Sequence, residues 1–171
     1  MKQINIIGKK NINKIENLYS IEPQERNNIK DIQDSHLKYH EQIKYINKLF
    51  LEEDFIHKVL IIRELDKKRN SYKHQDIDKE IYDEKYLINL SDIVEKLVAS
   101  KLKCYYCKEN IMILYKRVRE DYQWTLDRID NNIGHTCDNT IIACLKCNLQ
   151  RRRINKGAFL FTKQLKIIKQ E

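Results

Sequence analysis

The sequence predicts an α+β chain: a mainly helical N-terminal region, then a smaller segment of short strands and helices, then a C-terminal helix. Three observations support this. The 171 residues contain one Pro and three Gly, too few breakers for a many-stranded sandwich. Apolar residues between Ser35 and about Arg69 recur at intervals of three and four. β-Branched and aromatic residues concentrate between Ile111 and Ala143.

Taken in order, residues 1–34 mix Lys, Asn and Ile without a sustained period and read as a loosely ordered arm. From Ser35 to Arg69 the helical stripe of Ile43, Ile46, Phe50, Val59 and Ile62 is widened by Leu51, Phe55, Ile56, Leu60 and Ile61, which predicts a helix buried on more than one side. Residues 70–85 are polar and read as a connection. Ser91 or Asp92 can cap the next helix, whose Ile93, Val94, Leu97 and Val98 share a face that runs into Cys104. This helical region spans 35–100, and residues 101–171 form the second unit. Within it, Ile111–Val118, Gln123–Ile129 and Thr140–Ala143 read as strands, with a turn-rich loop from Asp130 to Asp138. Leu145–Arg153 reads as a short helix, and Phe159–Lys169 as a final one with Phe161, Leu165 and Ile168 on one side. No internal repeat is present.

Charge divides sharply along this chain. Of the 33 Lys and Arg and 25 Asp and Glu, residues 1–100 hold 18 of each, so the whole net charge of +8 sits on residues 101–171. A basic excess so placed points to a polyanionic partner. There is no run of 18 apolar residues and no signal-peptide pattern at the start, so the expectation is a soluble protein of a reducing, intracellular compartment, without a membrane partner.

Five cysteines in that setting read as metal ligands before disulfides. Four form two pairs, Cys104-Tyr-Tyr-Cys107 and Cys144-Leu-Lys-Cys147, with 36 residues between them. Two such pairs supply four thiolates at a bite that suits tetrahedral zinc. Four protein ligands leave no open position, so one structural Zn²⁺ is expected, closing the loop between the pairs. Small cysteines filling a core are the bland alternative, and the paired spacing argues against it. A redox Cys-x-x-Cys lacks the βαβ surroundings it needs. His135 and Cys137 are spare ligands inside the loop.

The segment Trp124-Thr-Leu-Asp127-Arg128-Ile-Asp130-Asn-Asn-Ile-Gly134-His135-Thr-Cys-Asp-Asn139, followed by Cys144, Cys147, Asn148 and Arg151, resembles the HNH endonuclease family, most closely its zinc-stapled members from phages and large DNA viruses. The resemblance covers residues 104 to about 153. It implies a zinc-stapled ββα-metal module and metal-dependent hydrolysis of DNA phosphodiester bonds. It also implies one catalytic Mg²⁺ or Mn²⁺ held by Asp127 and Asn148, with Asn139 bracing the loop. A hard, oxygen-liganded cation neutralises the scissile phosphate and leaving oxygen, which is why such residues are needed.

The chain departs from the family at the position after the strand Asp, where Arg128 stands in place of the usual His base. Arginine stays protonated. His135 is then either a base that swings in or an exposed loop histidine. Alternatively Asp130 orients the water while Arg128 clamps the phosphate. The expectation is a working or weakly working nuclease, with a catalytically impaired, zinc-dependent nucleic-acid-binding module as the alternative.

Lys146, Arg151, Arg152, Arg153 and Lys156 cluster on and just beyond the helix carrying Asn148 and are expected to neutralise phosphates of DNA, with RNA as the other candidate. Lys116, Arg117 and Arg119 extend the same track. Tyr105 and Tyr106 are expected to pack beside the zinc, and Trp124 to be core. His36, His40 and His57 lack paired ligand spacing and read as surface or packing residues. Oligomeric state is not encoded in any of these patterns.

Overall fold

The computed structural model describes residues 24–29 and 31–165. Its elements are α1 (Asp34–Leu37), α2 (Tyr39–Phe50), α3 (Lys58–Asp78), α4 (Leu90–Ala99), β1 (Trp124–Arg128), β2 (Thr140–Cys144), α5 (Leu145–Arg151) and α6 (Lys156–Gln164). Helices with a small two-stranded antiparallel sheet make this an α+β chain. Most of the expected arm, residues 1–23 and 30, lies outside the described residues, as do residues 166–171, which include Ile168 and the end of the last helix expected over Phe159–Lys169.

The single helix expected over 35–69 is divided into three. The break falls after Leu51, where Glu52, Glu53 and Asp54 follow the end of α2; carboxylates are unfavourable beside the partial negative charge of a helix C-terminus. Glu52 and His57 take left-handed backbone angles (φ 59° and 71°), and the apolar Leu51, Ile56 and Val59 beside the break are exposed rather than buried.

α3 continues through the expected connection to Asp78, because its polar residues have a structural task. It runs along the free edge of β1, and four helical residues rise by about 6 Å, close to the roughly 6.7 Å of two strand residues. Lys68, Tyr72 and Asp76, spaced by four, therefore meet Trp124, Leu126 and Arg128, spaced by two. The Lys68 ammonium donates to the Trp124 carbonyl, the Leu126 N–H donates to the Tyr72 hydroxyl at 3.0 Å, and Arg128 Nη1 lies 3.5 Å from Asp76 Oδ1. Burial pushes the Lys68 amine down to about 7, with Arg26 adding to the effect. On the same edge the Trp124 N–H donates to Met112 O, and the Leu126 and Arg128 carbonyls accept from Asn148 and Arg151. A strand edge left open would template aggregation; side chains from α3 and α5 close this one.

Residues 111–118, expected as a strand, are irregular; Ile111 and Ile113–Tyr115 are buried, and Arg117 and Val118 are exposed. The Gln42 side chain of α2 stands where a ladder would be, accepting from the Ile113 and Leu114 N–H groups at 2.7 and 2.9 Å and donating to the Leu114 carbonyl at 3.0 Å. At Ile113 and Leu114 a single buried amide thus replaces a neighbouring strand.

α4 starts earlier than expected. Its cap is Asn89, which accepts from the Asp92 N–H at 2.8 Å while Asp92 accepts from the Asn89 N–H at 3.3 Å, so Asp92 is the partner in a capping box and not the cap. The expected Ile93, Val94 and Leu97 face is buried. α6 likewise begins before Phe159, at an Asn155 cap. Phe159 is its buried residue, and Phe161 and Leu165, expected on the inner side, are exposed. One cluster of buried side chains extends from Ile29 through Leu65, Leu97 and Trp124 to Phe159, so helices and sheet share a core. No helix among the described residues is long and apolar enough to cross a membrane.

Candidate metal centre and basic groove

The two cysteine pairs come together because each ends a tight local structure. A bridge between Lys103 and Asn110 closes the turn that carries Cys104 and Cys107, with the Lys108 N–H donating to the Cys104 carbonyl at 3.0 Å and Lys108 in the left-handed region (φ 62°). Cys144 ends β2 and caps α5, its sulfur accepting the Cys147 N–H at 3.3 Å. The Tyr105 N–H donates to Ile142 O at 2.9 Å and fastens the first turn to β2.

All four sulfurs lie within 4.8 Å of one another, with Cys107 Sγ and Cys144 Sγ 3.9 Å apart. Metal–sulfur bonds of about 2.3 Å in a tetrahedron place sulfurs about 3.8 Å apart, so this cluster can hold a metal ion with four thiolates and no open position. Hydrogen bonding from Cys144, then from backbone N–H groups, pulls the Cys104 thiol down to about 4, whereas burial raises Cys147 to about 12. Ionised sulfurs this close together, three of them buried, would call for a cation between them. Cys137 is exposed and stands outside the cluster; His135 is outside it too.

The ββα unit next to this cluster gathers the other expected site residues. β1 and β2 pair from Trp124↔Cys144 to Arg128↔Thr140, and α5 packs on both strands. Thr125 and Asp127 turn toward α5. Asn148 Nδ2 donates to Thr125 Oγ1 at 3.1 Å and to the Leu126 carbonyl at 3.3 Å, so Asn148 and Asp127 share one face.

Asp127, however, already has partners. The Tyr106 hydroxyl donates to its Oδ2 at 2.6 Å, and Arg151 Nε lies 2.7 Å from the same oxygen, close enough for charge pairing although the N–H is off the line of a hydrogen bond. Burial pushes the Asp127 carboxyl above the usual carboxylate range, against the opposing pull of Arg151 and Tyr106. Arg151, expected among the exposed phosphate contacts, is 1% exposed and donates to the Ile154 and Arg128 carbonyls. Tyr106, expected beside the metal, spans from the thiol turn to Asp127.

His135 is neither an exposed loop histidine nor close to a free position. It is 3% exposed, its Nδ1 lies 2.7 Å from Asp76 Oδ1, its backbone N–H donates to Asp76 Oδ2 at 2.6 Å, and its ring packs on Tyr72. Burial holds its imidazole below the ordinary value, with Asp76 opposing and Arg128 and Lys79 reinforcing. Asn139 braces the 130–134 loop: Nδ2 donates to the carbonyls of Asp130, Ile133 and Gly134 at 2.9, 3.0 and 3.1 Å, and Oδ1 accepts from the Asp130 N–H at 2.8 Å.

Beyond this loop a groove of about 920 Å³ is lined by Lys79, Arg128, Asp130, Arg151, Arg152 and Arg153, among others. Arg152 and Arg153 are exposed, and the Asn131 side chain donates to the Arg152 carbonyl at 3.3 Å. Lys79 is held below the usual lysine value, by burial first and then by the positive charge of Arg128, with Arg153 adding to it. Lys146 lies elsewhere, over the Tyr122 ring, and Lys156 over Tyr105. Of the outer track, Lys116 is paired with Asp34 at 2.6 Å. His36 and His57 pack edge to face, and His40 sits at the surface beside Glu41.

Asp76, Lys79 and the Asp127 roles of Tyr106 and Arg151 escaped the sequence reading. Arg151 had left a signal: it lies four residues after Cys147 on a short helix, which places both on the inward face.

Comparison with known proteins finds a 66-residue stretch, 39% of this chain, that is 38% identical to "Uncharacterized protein R423" of Acanthamoeba polyphaga mimivirus. The chain covers 11% of that protein's length. No family model and no solved structure matches the chain.

Proposed function

We propose that this chain is a zinc-stapled nucleic-acid-binding protein built on a ββα unit like that of the HNH endonucleases, and that it holds DNA along the Lys79–Arg153 groove. The observation that carries this reading is the groove itself: three exposed positive side chains, Lys79, Arg152 and Arg153, meet one exposed carboxylate, Asp130, beside the sheet, with Arg128 buried behind them. Phosphate oxygens would offset both causes that hold Lys79 below the usual lysine value, burial first and then the positive charge of Arg128 and Arg153. Zinc is the metal we assign to Cys104, Cys107, Cys144 and Cys147, because four clustered thiols in a tetrahedral span suit it best. Its role is to hold the thiol turn and the start of α5 together, which fixes the wall of the groove.

A second reading is phosphodiester hydrolysis. It is favoured by Asp127 and Asn148 sharing the α5 face of β1, the arrangement that the family resemblance implies for a Mg²⁺ or Mn²⁺ site. The residues present do not fit a divalent ion in this arrangement, since Oδ2 of the Asp127 carboxylate is already taken by the Arg151 guanidinium and the Tyr106 hydroxyl. Binding is therefore preferred over cleavage.

Incubating the zinc-loaded chain with supercoiled plasmid separates the two. Retarded but uncut DNA, with or without Mn²⁺, supports the binding reading. Mn²⁺-dependent nicking that disappears in Asp127→Ala would establish the nuclease instead, and no retardation at moderate salt would remove both.

A further inference from the structure

The α5 face of β1 offers a buried carboxylate, and a cation is already seated on it. Arg151 lies three residues after Asn148 and four after Cys147 on α5, so it points to the strand and not to solvent. Its Nε is 2.7 Å from Asp127 Oδ2, its Nη1 donates to Ile154 O at 2.7 Å, and its Nη2 donates to Arg128 O. Asp127 and Arg151 are 4% and 1% exposed.

We infer that Arg151 is the permanent counter-cation of Asp127, and that this face consequently takes up no divalent metal ion. The inference deepens the binding reading and rests on it for the alignment of Asp127 with the metal position of the family.

Three physical facts lead to it. First, Mg²⁺ and Mn²⁺ require several oxygens around them, and Mg²⁺ a nearly ideal octahedron. Here Oδ2 of Asp127 is shared between a guanidinium and the Tyr106 hydroxyl, so while Arg151 stays the carboxylate offers such a shell at most its other oxygen; Asn148 is anchored through Nδ2 to Thr125 and Leu126, which leaves its amide oxygen as the second protein oxygen a cation would need. Second, an arginine cannot become neutral to admit a second cation, and two cations on one carboxylate oxygen repel at close range in a poorly solvated site. Third, moving Arg151 away would leave the buried carbonyl of Arg128 without this donor, and that carbonyl belongs to the open edge of β1. The guanidinium is thus held by the strand as well as by the carboxylate. Phosphates in the adjoining groove would meet fixed positive charge from Arg128, Arg152 and Arg153 with no metal intermediary.

Titrating Mn²⁺ into the full zinc-loaded chain, followed by the loss of its free electron-paramagnetic-resonance signal, tests this without nucleic acid. The wild-type protein and Asp127→Asn are expected to give the same titration, with no Asp127-dependent site. Arg151→Met, which keeps the length and apolar packing of the side chain, is expected to gain one Mn²⁺ site that vanishes when Asp127→Asn is added; Arg151→Lys is expected to gain none. One Mn²⁺ bound by the wild-type chain and lost in Asp127→Asn would overturn the inference, as would a folded Arg151→Met that binds none. Should Arg151→Met fail to fold, the comparison of wild type with Asp127→Asn decides alone. The result is independent of DNA binding, so failure of the binding reading and failure of this inference are told apart.

Discussion

The hydroxyl of Tyr106 donates to Asp127 across 2.6 Å. Tyr106 belongs to the turn between the first two thiols, and Asp127 to strand β1, so this bond ties the metal-holding turn directly to the ββα unit. The Tyr106 ring also packs edge to face on Phe159 of α6, its centroid 4.9 Å away. Tyr106→Phe keeps that packing and removes the donor to a buried carboxylate. A loss of about 1.5–3 kcal/mol in urea unfolding is expected, the range for a hydrogen bond to a charged group. An unchanged midpoint would mean that Arg151 alone satisfies Asp127.

The thiol cluster should be stoichiometric and structural. Elemental analysis of the purified chain is expected to return one zinc per chain, and Cys104→Ser or Cys147→Ser to lose it. Removing the metal with a chelator should lower the melting temperature steeply, because metal binding free energy is folding free energy in small thiolate sites. A chain that keeps its near-ultraviolet circular dichroism after complete zinc removal would show that the core holds the unit by itself.

Gly134 lets the 130–134 loop press against the end of α3. A Cβ there would stand 2.8 Å from Ile81 O and 3.0 Å from Asp76 Oδ2, and the first of these neighbours is backbone that cannot swing aside. Gly134→Ala is therefore expected to cost about 1–3 kcal/mol, the usual penalty of overpacking. It should also disturb the His135–Asp76 pair, visible as a shift in the His135 ring resonances. A neutral effect on both would place the loop farther from α3.

His135 gives a pH signature. Burial holds its folded-state pKa below the unfolded value of about 6.5, so as pH falls the unfolded chain binds the proton first. This contribution to stability is fully present above the unfolded value and is lost as pH falls through the folded one. Ring titration by NMR should give a midpoint under about 6.5, and His135→Gln should flatten the decline of the urea midpoint below that pH. A ring midpoint above it would mean that Asp76 outweighs burial.

What could be read from the sequence was local, and what could not was a matter of partners. The thiol pairs, β1, β2 and α5 each announce themselves within a few residues, through spacing or β-branched runs. The continuation of α3 did not, because Lys68, Tyr72 and Asp76 look like surface residues until β1 is laid beside them. Residues 111–118 have the composition of a strand, and only the fold reveals that Gln42 supplies the hydrogen bonds of Ile113 and Leu114, while Leu102, Tyr122, Gln24 and Arg26 serve their neighbours. Arg151 sits in a run of three arginines that looks uniform in the sequence, although Arg152 and Arg153 face solvent while it is buried. Charge composition reports how many cations a segment has, not which of them are spent on internal carboxylates.

The central claim, that the groove between Lys79 and Arg153 binds nucleic acid phosphates, is tested most directly by the salt dependence of affinity for a short fluorescent DNA duplex in the absence of divalent ions. Each phosphate contact contributes about 0.9 to the slope of log affinity against log salt. Replacing Lys79, Arg152 and Arg153 together by Ala, all three exposed, should leave the fold intact, weaken binding and flatten the slope by about 2–3. A triple variant that binds with the wild-type affinity and slope would contradict the account.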